Sequence, residues 1–173
     1  CFLKDPGVAA QLAGLERAEL LLTLQNESQI EAFDQKGAVR TLPDGKGLLI
    51  GYSSRELPDE ELLKVLQQSS WQVYQTASQQ ELLIMQENVI PIIAITVHNW
   101  HTKYYEGEIF ELLVAAVEPA LKGSGALRTL LAPVLEDCEA KHIPITMQTH
   151  NPENVPIFAH FGFQLMETCT CDA

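Results

Sequence analysis

A short glycine-rich loop separates an apolar stretch from a helical pattern in the last third of the chain. The loop is Lys122-Gly123-Ser124-Gly125, and its glycines lack the Cβ atom that would keep a ligand away from the backbone. Because the first N–H groups of a helix have no partner within it, we expect the amides of residues 123–126 to point outward and to bind an anion such as phosphate. A plain turn would give the same sequence. A dinucleotide fingerprint does not fit, because Arg128 stands where the third glycine is needed, and no Walker-type Gly-Lys-Ser/Thr loop is present.

A single carboxylate interrupts the apolar stretch before this loop. Glu111 is the only charged residue in Ile109–Val117, and burying a carboxylate without a partner is costly. This favours one of two interpretations. Glu111 is either a general base, or a structural group that pairs with a lysine or a backbone amide at the sheet surface.

Hydrophobic periodicity predicts the elements that position these residues. Ile109–Val117 is apolar at successive positions, which is typical of a strand covered on both faces. Ala126–Ala140 has apolar residues at helical spacing, and Pro133 should kink it. The other predicted elements are a helix in the first part of Val8–Phe33, a hairpin of Gly37–Leu42 and Gly47–Tyr52, a helix opening at Pro58, strands at Ile90–Val97, Ile143–Thr149 and Phe163–Met166, and a short helix capped by Asn154 and ending at Phe158.

Length and charge narrow the class of protein. The 173 residues suffice for one domain with a core. A net charge of −12 argues against nucleic acid and anionic membranes as partners, and such a field can draw in a cationic amine. No apolar run is long enough to span a bilayer. The chain starts at Cys1 with no basic stretch before an apolar segment, which predicts no signal peptide.

The cysteines and histidines predict neither a disulfide framework nor a metal site. The four cysteines show no C-x-x-C spacing, which favours a reduced, cytoplasmic protein. His98 and His101 could approach one metal ion, but no third ligand is indicated. We therefore expect no metal.

Four motifs in order resemble the GNAT superfamily of acyl-CoA N-acyltransferases over residues 109–168. They are Val117-Glu118-Pro119, Lys122-Gly123-Ser124-Gly125-Ala126, Asn151-Pro152-Glu153-Asn154-Val155-Pro156 and Phe161-Gly162-Phe163. The resemblance implies a single α/β domain over residues 1–173, with a mixed, mostly antiparallel central sheet and helices on both faces. Residues 109–168 would bind the acyl-CoA, and residues 1–108 would be the variable, substrate-side half.

The resemblance also implies roles for individual residues toward acetyl-CoA. Backbone groups around Ala115, Ala116 and Val117 would hydrogen-bond the pantetheine arm as if it were another strand, and the N–H of Val117 or a neighbour would stabilise the oxyanion. The pyrophosphate would bind the amides of the loop and helix start, namely Lys122, Gly123, Ser124, Gly125, Ala126 and Leu127. Asn154 and its helix, with Phe158, would line the other side of the arm. Glu111, six residues before Val117, matches the base in some relatives.

Two positions depart from the family pattern. Ala120 stands where Gln or Arg often contributes a pyrophosphate contact. Phe158 stands where many relatives carry a tyrosine that protonates the leaving thiolate, a role worth about 10²–10⁴ in rate. His160, Tyr104, Tyr105 or a water could replace it, and the sequence does not choose among them.

The predicted function is therefore an N-acetyltransferase that moves acetyl from acetyl-CoA to a primary amine of a small molecule or peptide. In such enzymes the amine attacks the thioester directly in a ternary complex. A homodimer is possible, and the sequence does not decide the oligomeric state. Two alternatives remain. One is a non-catalytic CoA-binding or interaction module with the same fold, and the other is an enzyme for a longer acyl chain.

Overall fold

The computed structural model describes residues 5–95 and 100–170, and of residues 93–95 only the backbone. The described chain forms two compact units. Residues 5–22, 76–95, 100 and 149–170 form the first, called the helical unit, and residues 23–75 and 101–148 form the second, called the sheet unit. The predicted single domain over residues 1–173 stays a prediction.

The sheet unit holds a four-stranded mixed sheet in the order β1-β2-β3-β4. The two pairings β1–β2 and β2–β3 are antiparallel, and β3–β4 is parallel. The strands are β1 Val39–Thr41, β2 Gly47–Ser53, β3 Phe110–Val117 and β4 Ile145–Met147. This mixed, mostly antiparallel α/β architecture confirms the predicted fold class and is consistent with a GNAT-like fold.

Seven α-helices are found in the described residues. They are α1 Pro6–Gln11, α2 Ala18–Asp34, α3 Asp59–Ser69, α4 Trp71–Thr76, α5 Gln79–Ile95, α6 Ala126–Lys141 and α7 Asn154–Ala159, and short 3-10 turns occupy Trp100–Lys103 and Pro119–Leu121. No helix among them is both long and apolar enough to cross a membrane, as far as residues 5–95 and 100–170 are concerned.

The predicted hairpin forms through the turn at Pro43-Asp44-Gly45. The Leu42 N–H donates to the Gly47 carbonyl at 3.0 Å, and the Gly45 N–H donates to the Leu42 carbonyl at 2.9 Å. Gly45 has a φ of 72°, a conformation that a residue with a Cβ adopts only with strain. The predicted helix opening also forms, since α3 follows Pro58 and carries Asp59 in its acidic first turn.

The sheet is covered by helices on both faces. On one face Ile50 and Tyr52 of β2 pack with Phe33 of α2 and Val65 of α3 in a buried cluster. On the other face α6 lies so close that a Cβ added to Gly47 would come within 3.0 Å of the Leu130 side chain. Two layers of helix thus hold β2 and its neighbour β3.

The strand predicted at Ile90–Val97 is wrong over residues 90–95, where α5 continues through Pro91; residues 96–97 lie outside the described part. The Asn88 side chain donates to the carbonyls of Gln11 at 3.1 Å and Ala13 at 2.9 Å, so α5 is joined to the end of α1. This tertiary contact outweighs the β-propensity of the apolar run.

Other predicted elements differ in extent. Phe163–Met166 forms no strand, and no described segment pairs with it. The strand predicted at Ile143–Thr149 is reduced to the three residues of β4. The helix predicted in the first part of Val8–Phe33 is two helices, α1 and α2. Gly14, with a φ of 78°, lies in the turn that separates them.

Candidate active site

A β-bulge in β3 determines which of its side chains face Tyr52. In the register with β2, Glu111 lies opposite Tyr52, whereas Val114 lies opposite Ile50. Leu112 pairs with Gly51, so Leu113 is an extra residue without a partner in β2. Because a bulge shifts the alternation of side chains by one, Glu111 shares a sheet face with Val114.

One edge of β3 is open beyond this bulge. β2 pairs with β3 from Phe110 to Val117, on both sides of the bulge. β4 pairs with β3 only at Phe110–Leu112. On the β4 side, no strand among the described residues pairs with residues 113–117. An unpaired strand edge can take an extended ligand as a further strand. This edge contains Ala115 and Ala116, for which the family resemblance implies such a role.

The open edge is also less covered than the sequence predicts. Of the eight residues of β3, only Leu112 is fully buried, and the others are partly exposed. Both faces of β3 are therefore covered less fully than the sequence predicts. Its apolar composition fits a surface that is half covered by protein and half accessible to a ligand.

The glycine loop leads from this strand into α6. Gly123 has a φ of 80° and Gly125 a φ of 87°, and Gly125 occupies the N-cap position of α6. Both residues are exposed, and a Cβ added to either would meet no atom within 4 Å. The glycines are thus needed for backbone conformation and for access from solvent, and the interior of the protein does not require them.

The loop amides are only partly available to an anion. The Ser124 N–H donates to the Leu121 carbonyl at 3.1 Å, and the Ala126 N–H donates to Ser124 Oγ at 3.3 Å. The expectation that all amides of residues 123–126 are unpaired is therefore wrong at these two positions, because a tight turn satisfies them.

Three donors remain at the start of α6. Within the described residues, the N–H groups of Gly123, Gly125 and Leu127 make no hydrogen bond to the protein. The Lys122 N–H donates to the Pro119 carbonyl at 3.2 Å, while its side chain is exposed beside the loop. Amide donors at a helix N-terminus, with an exposed lysine next to them, suit a phosphate group.

Glu111 is held by a tyrosine hydroxyl. Tyr52 Oη donates to Glu111 Oε2 at 3.1 Å, across the antiparallel pair. Neither the lysine nor the backbone amide that the structural interpretation suggested is bonded to this carboxylate in the described residues. Burial, and next the Glu111 charge, raise the pKa of Tyr52 far above its ordinary value, so its hydroxyl stays protonated and donates.

Sequence reasoning missed Tyr52 as part of this site. The alternating pattern of Gly47–Tyr52 predicts a strand, but the neighbour of that strand and its register depend on residues about sixty positions away. Only the pairing of β2 with β3 shows that Tyr52 and Glu111 meet.

Asn154 and Phe158 belong to the helical unit. Glu153 occupies the N-cap position of α7 without a capping side chain, and the Asn154 side-chain amide instead donates to Thr149 Oγ1 at 3.0 Å. The predicted role of Asn154 as a helix cap is therefore wrong. Phe158 is buried, and its ring packs edge-on against Phe163 at 5.6 Å.

The alternative acids and the histidine pair stay undecided. Tyr104 and Tyr105 are both exposed, and their N–H groups donate to the His101 carbonyl. His98 lies outside the described residues. Within the described part of the chain, no three His, Cys, Asp or Glu side chains are placed to share a metal ion.

Comparison with known proteins gives a partial match. A protein of Schizosaccharomyces pombe named as an uncharacterized N-acetyltransferase is 30% identical over 66 residues. The match covers 38% of this chain and 23% of the relative. No protein-family model matches the chain. The chain is thus similar, over little more than a third of its length, to a protein whose name assigns acetyl transfer.

Proposed function

We propose that this protein is a GNAT-type N-acetyltransferase that moves the acetyl group of acetyl-CoA to a primary amine of a small molecule or peptide. One observation carries the proposal. The open edge of β3 leads, through the turn at Pro119–Leu121, to a glycine loop at the N-terminus of α6. The similarity to a named N-acetyltransferase supports the same activity.

The acyl-CoA would use two features of the sheet unit. Its pantetheine arm, an extended chain with amide groups, suits the edge of β3 at residues 113–116, where no described strand pairs on the β4 side. Its pyrophosphate suits the N–H groups of Gly123, Gly125 and Leu127, with Lys122 as an exposed counter-charge. The proposed roles of Asn154 and Phe158 toward the cofactor rest on the family resemblance alone.

Glu111 would act as the general base. The attacking amine must be neutral, so a carboxylate that takes its proton raises the fraction of reactive amine. Nitrogen then attacks the thioester carbonyl, and a backbone N–H near Val117 stabilises the oxyanion. Collapse of the tetrahedral intermediate breaks the carbon–sulfur bond and releases CoA. Because an ordinary thiol has a pKa of about 8.5, the thiolate leaves tolerably without the tyrosine that Phe158 replaces.

The net charge of −12 suggests the class of acceptor. A negative field attracts cations, and a primary amine is largely protonated at neutral pH. The proposed acceptor is therefore a cationic amine, which Glu111 would deprotonate once it is bound.

A second candidate is a non-catalytic module that binds CoA. The buried Phe158 favours it, because an enzyme that depends on a tyrosine acid would have lost that group. Turnover separates the two candidates, since the module binds CoA and transfers nothing.

Two measurements on the unmodified protein test the proposal. Calorimetry should detect binding of acetyl-CoA, and a panel of primary amines, followed by release of free thiol, should reveal at least one acceptor. Binding with no acceptor would favour the module, and no binding at millimolar acetyl-CoA would exclude both. Longer acyl-CoAs in competition would show whether acetyl is the preferred group.

A further inference from the structure

Packing holds the Tyr52 ring in place independently of its hydrogen bond to Glu111. Its ring is 6% exposed and stacks on Phe33 of α2 with centroids 6.0 Å apart and planes 25° apart. Phe33 is itself fully buried. A ring held between a strand and a helix has little rotational freedom, so its hydroxyl points to a set position.

The contact between Tyr52 and Glu111 constrains one carboxylate oxygen and does not involve the other. Tyr52 Oη donates to Oε2 at 3.1 Å, and Oε1 makes no hydrogen bond within the described residues. A glutamate side chain has three rotatable bonds, and a single directional bond to a rigid donor removes much of that freedom.

The described neighbours of this pair come from α2, α3 and β4. Asp59 at the start of α3 is the other charge that acts on Tyr52, and Phe33 of α2 is apolar. On the opposite side of Glu111, its register partner in β4 is Thr146, which is buried and uncharged. In the described residues no cation forms an ion pair with this carboxylate.

We propose that Tyr52 is a positioning residue for acetyl transfer: its hydroxyl fixes Glu111 through Oε2, so that Oε1 faces the attacking amine. This inference rests on the proposed function, with Glu111 as base. Tyr52 touches neither the amine nor the acetyl group and acts only through Glu111. Without the hydroxyl, the carboxylate would sample several rotamers and would be in reach of the amine for less of the time.

A double-mutant cycle tests this role. Tyr52→Phe keeps the ring and its stack on Phe33 and removes only the hydroxyl. We expect kcat to fall on the order of 10-fold with the KM for acetyl-CoA unchanged. In a Glu111→Gln background the same change should have no further effect, because the base that Tyr52 positions is already gone. Tyr74→Phe, at an exposed ring of α4, is the matched control and should leave kcat and KM unchanged.

Several outcomes of the cycle would overturn the inference. Equal losses from Tyr52→Phe in both backgrounds would show a general structural effect. An unchanged kcat in the parent background would show that the hydroxyl is dispensable. Thermal unfolding of each variant confirms that the compared proteins are folded.

A spectroscopic measurement distinguishes failure of this inference from failure of the proposed function. With 13Cζ-labelled tyrosine, the Tyr52 resonance, assigned as the one missing in Tyr52→Phe, should move upfield in Glu111→Ala, because the hydroxyl loses its acceptor. The Tyr74 resonance should stay in place. A Tyr52 signal that does not move refutes the contact, even in an active enzyme. A moved signal without turnover on any amine refutes the proposed function, and with it the reaction that Tyr52 would serve.

Discussion

Glu81 in the helical unit and Glu111 in the sheet unit show two ways to hold a carboxylate. Glu81 accepts from both Nε and a terminal nitrogen of Arg17, and also from the N–H and hydroxyl of Ser78. Its pKa is lowered to about 2, chiefly by the hydrogen bond from Arg17. Glu111 has one neutral partner in the described part of the chain, Tyr52. The first arrangement stabilises a charged carboxylate through an ion pair, whereas the second holds a carboxylate through a neutral hydroxyl.

Replacing each glutamate by glutamine should separate these roles most strongly. Glu111→Gln keeps the shape and removes proton acceptance, so turnover should fall about 10²–10⁴-fold while acetyl-CoA affinity barely moves. Glu81→Gln, the matched control, should leave turnover unchanged. Steady-state kinetics with the acceptor found in the amine panel measure turnover, and calorimetry measures acetyl-CoA affinity. Full activity of Glu111→Gln would make Glu111 a structural carboxylate like Glu81.

The glycine loop gives the next largest effect. Gly125 has a φ of 87°, so Gly125→Val strains the N-cap of α6 and places a branched side chain beside the amides. CoA binding should weaken about 10–100-fold, and the fold should survive because no atom lies within 4 Å of the new Cβ. Calorimetry measures the affinity, and circular dichroism the fold.

A second glycine in the sheet unit controls for backbone strain. Gly45 in the hairpin turn has a φ of 72° and likewise has no atom within 4 Å of an added Cβ. Gly45→Val should lower stability and leave CoA affinity intact. If both variants bound CoA as tightly as the parent, the loop assignment would be wrong.

Lys122 should matter less than the loop backbone. Its side chain is exposed, and an exposed charge is screened by water and salt. Lys122→Ala should weaken CoA binding only a few-fold, and the difference from the parent should shrink as salt increases. A loss as large as that of Gly125→Val would show that the lysine, rather than the amides, dominates pyrophosphate binding.

The smallest expected effect is the pH dependence that Glu81 contributes to stability. Its pKa is depressed from 4.5 to about 2 in the folded protein, so its contribution is present above pH 4.5 and is lost as the pH falls toward 2. The difference in melting temperature between parent and Glu81→Gln should therefore shrink over that range. Because the Arg17 side chain is exposed, this ion pair contributes little to stability. A difference that does not change between pH 5 and pH 2 would contradict the assignment.

The accuracy of the sequence predictions follows the range of the interactions. The hairpin, α3 and α6 depend on local signals such as Pro43-Asp44-Gly45 and Pro58, and all three form as predicted. The β-branched, apolar run around Pro91 predicts a strand, although such a run also suits a helix, and contacts with the end of α1 favour the helix. The loop glycines could be found from residue type. The bulge at Leu113 and the contact of Tyr52 with Glu111 could not, because both arise from strand register.

The most direct test of the central claim is an NMR titration of the 15N-labelled protein with CoA. We expect the amide signals of Gly123, Gly125 and Leu127 to shift with a common affinity, together with those of Ala115 and Ala116 on the open edge of β3. The Gly37 and Gly45 signals, near the hairpin, serve as internal controls and should stay in place. If the loop and β3 signals stayed in place at saturating CoA while others moved, the acyl-CoA site assigned to the sheet unit would be wrong.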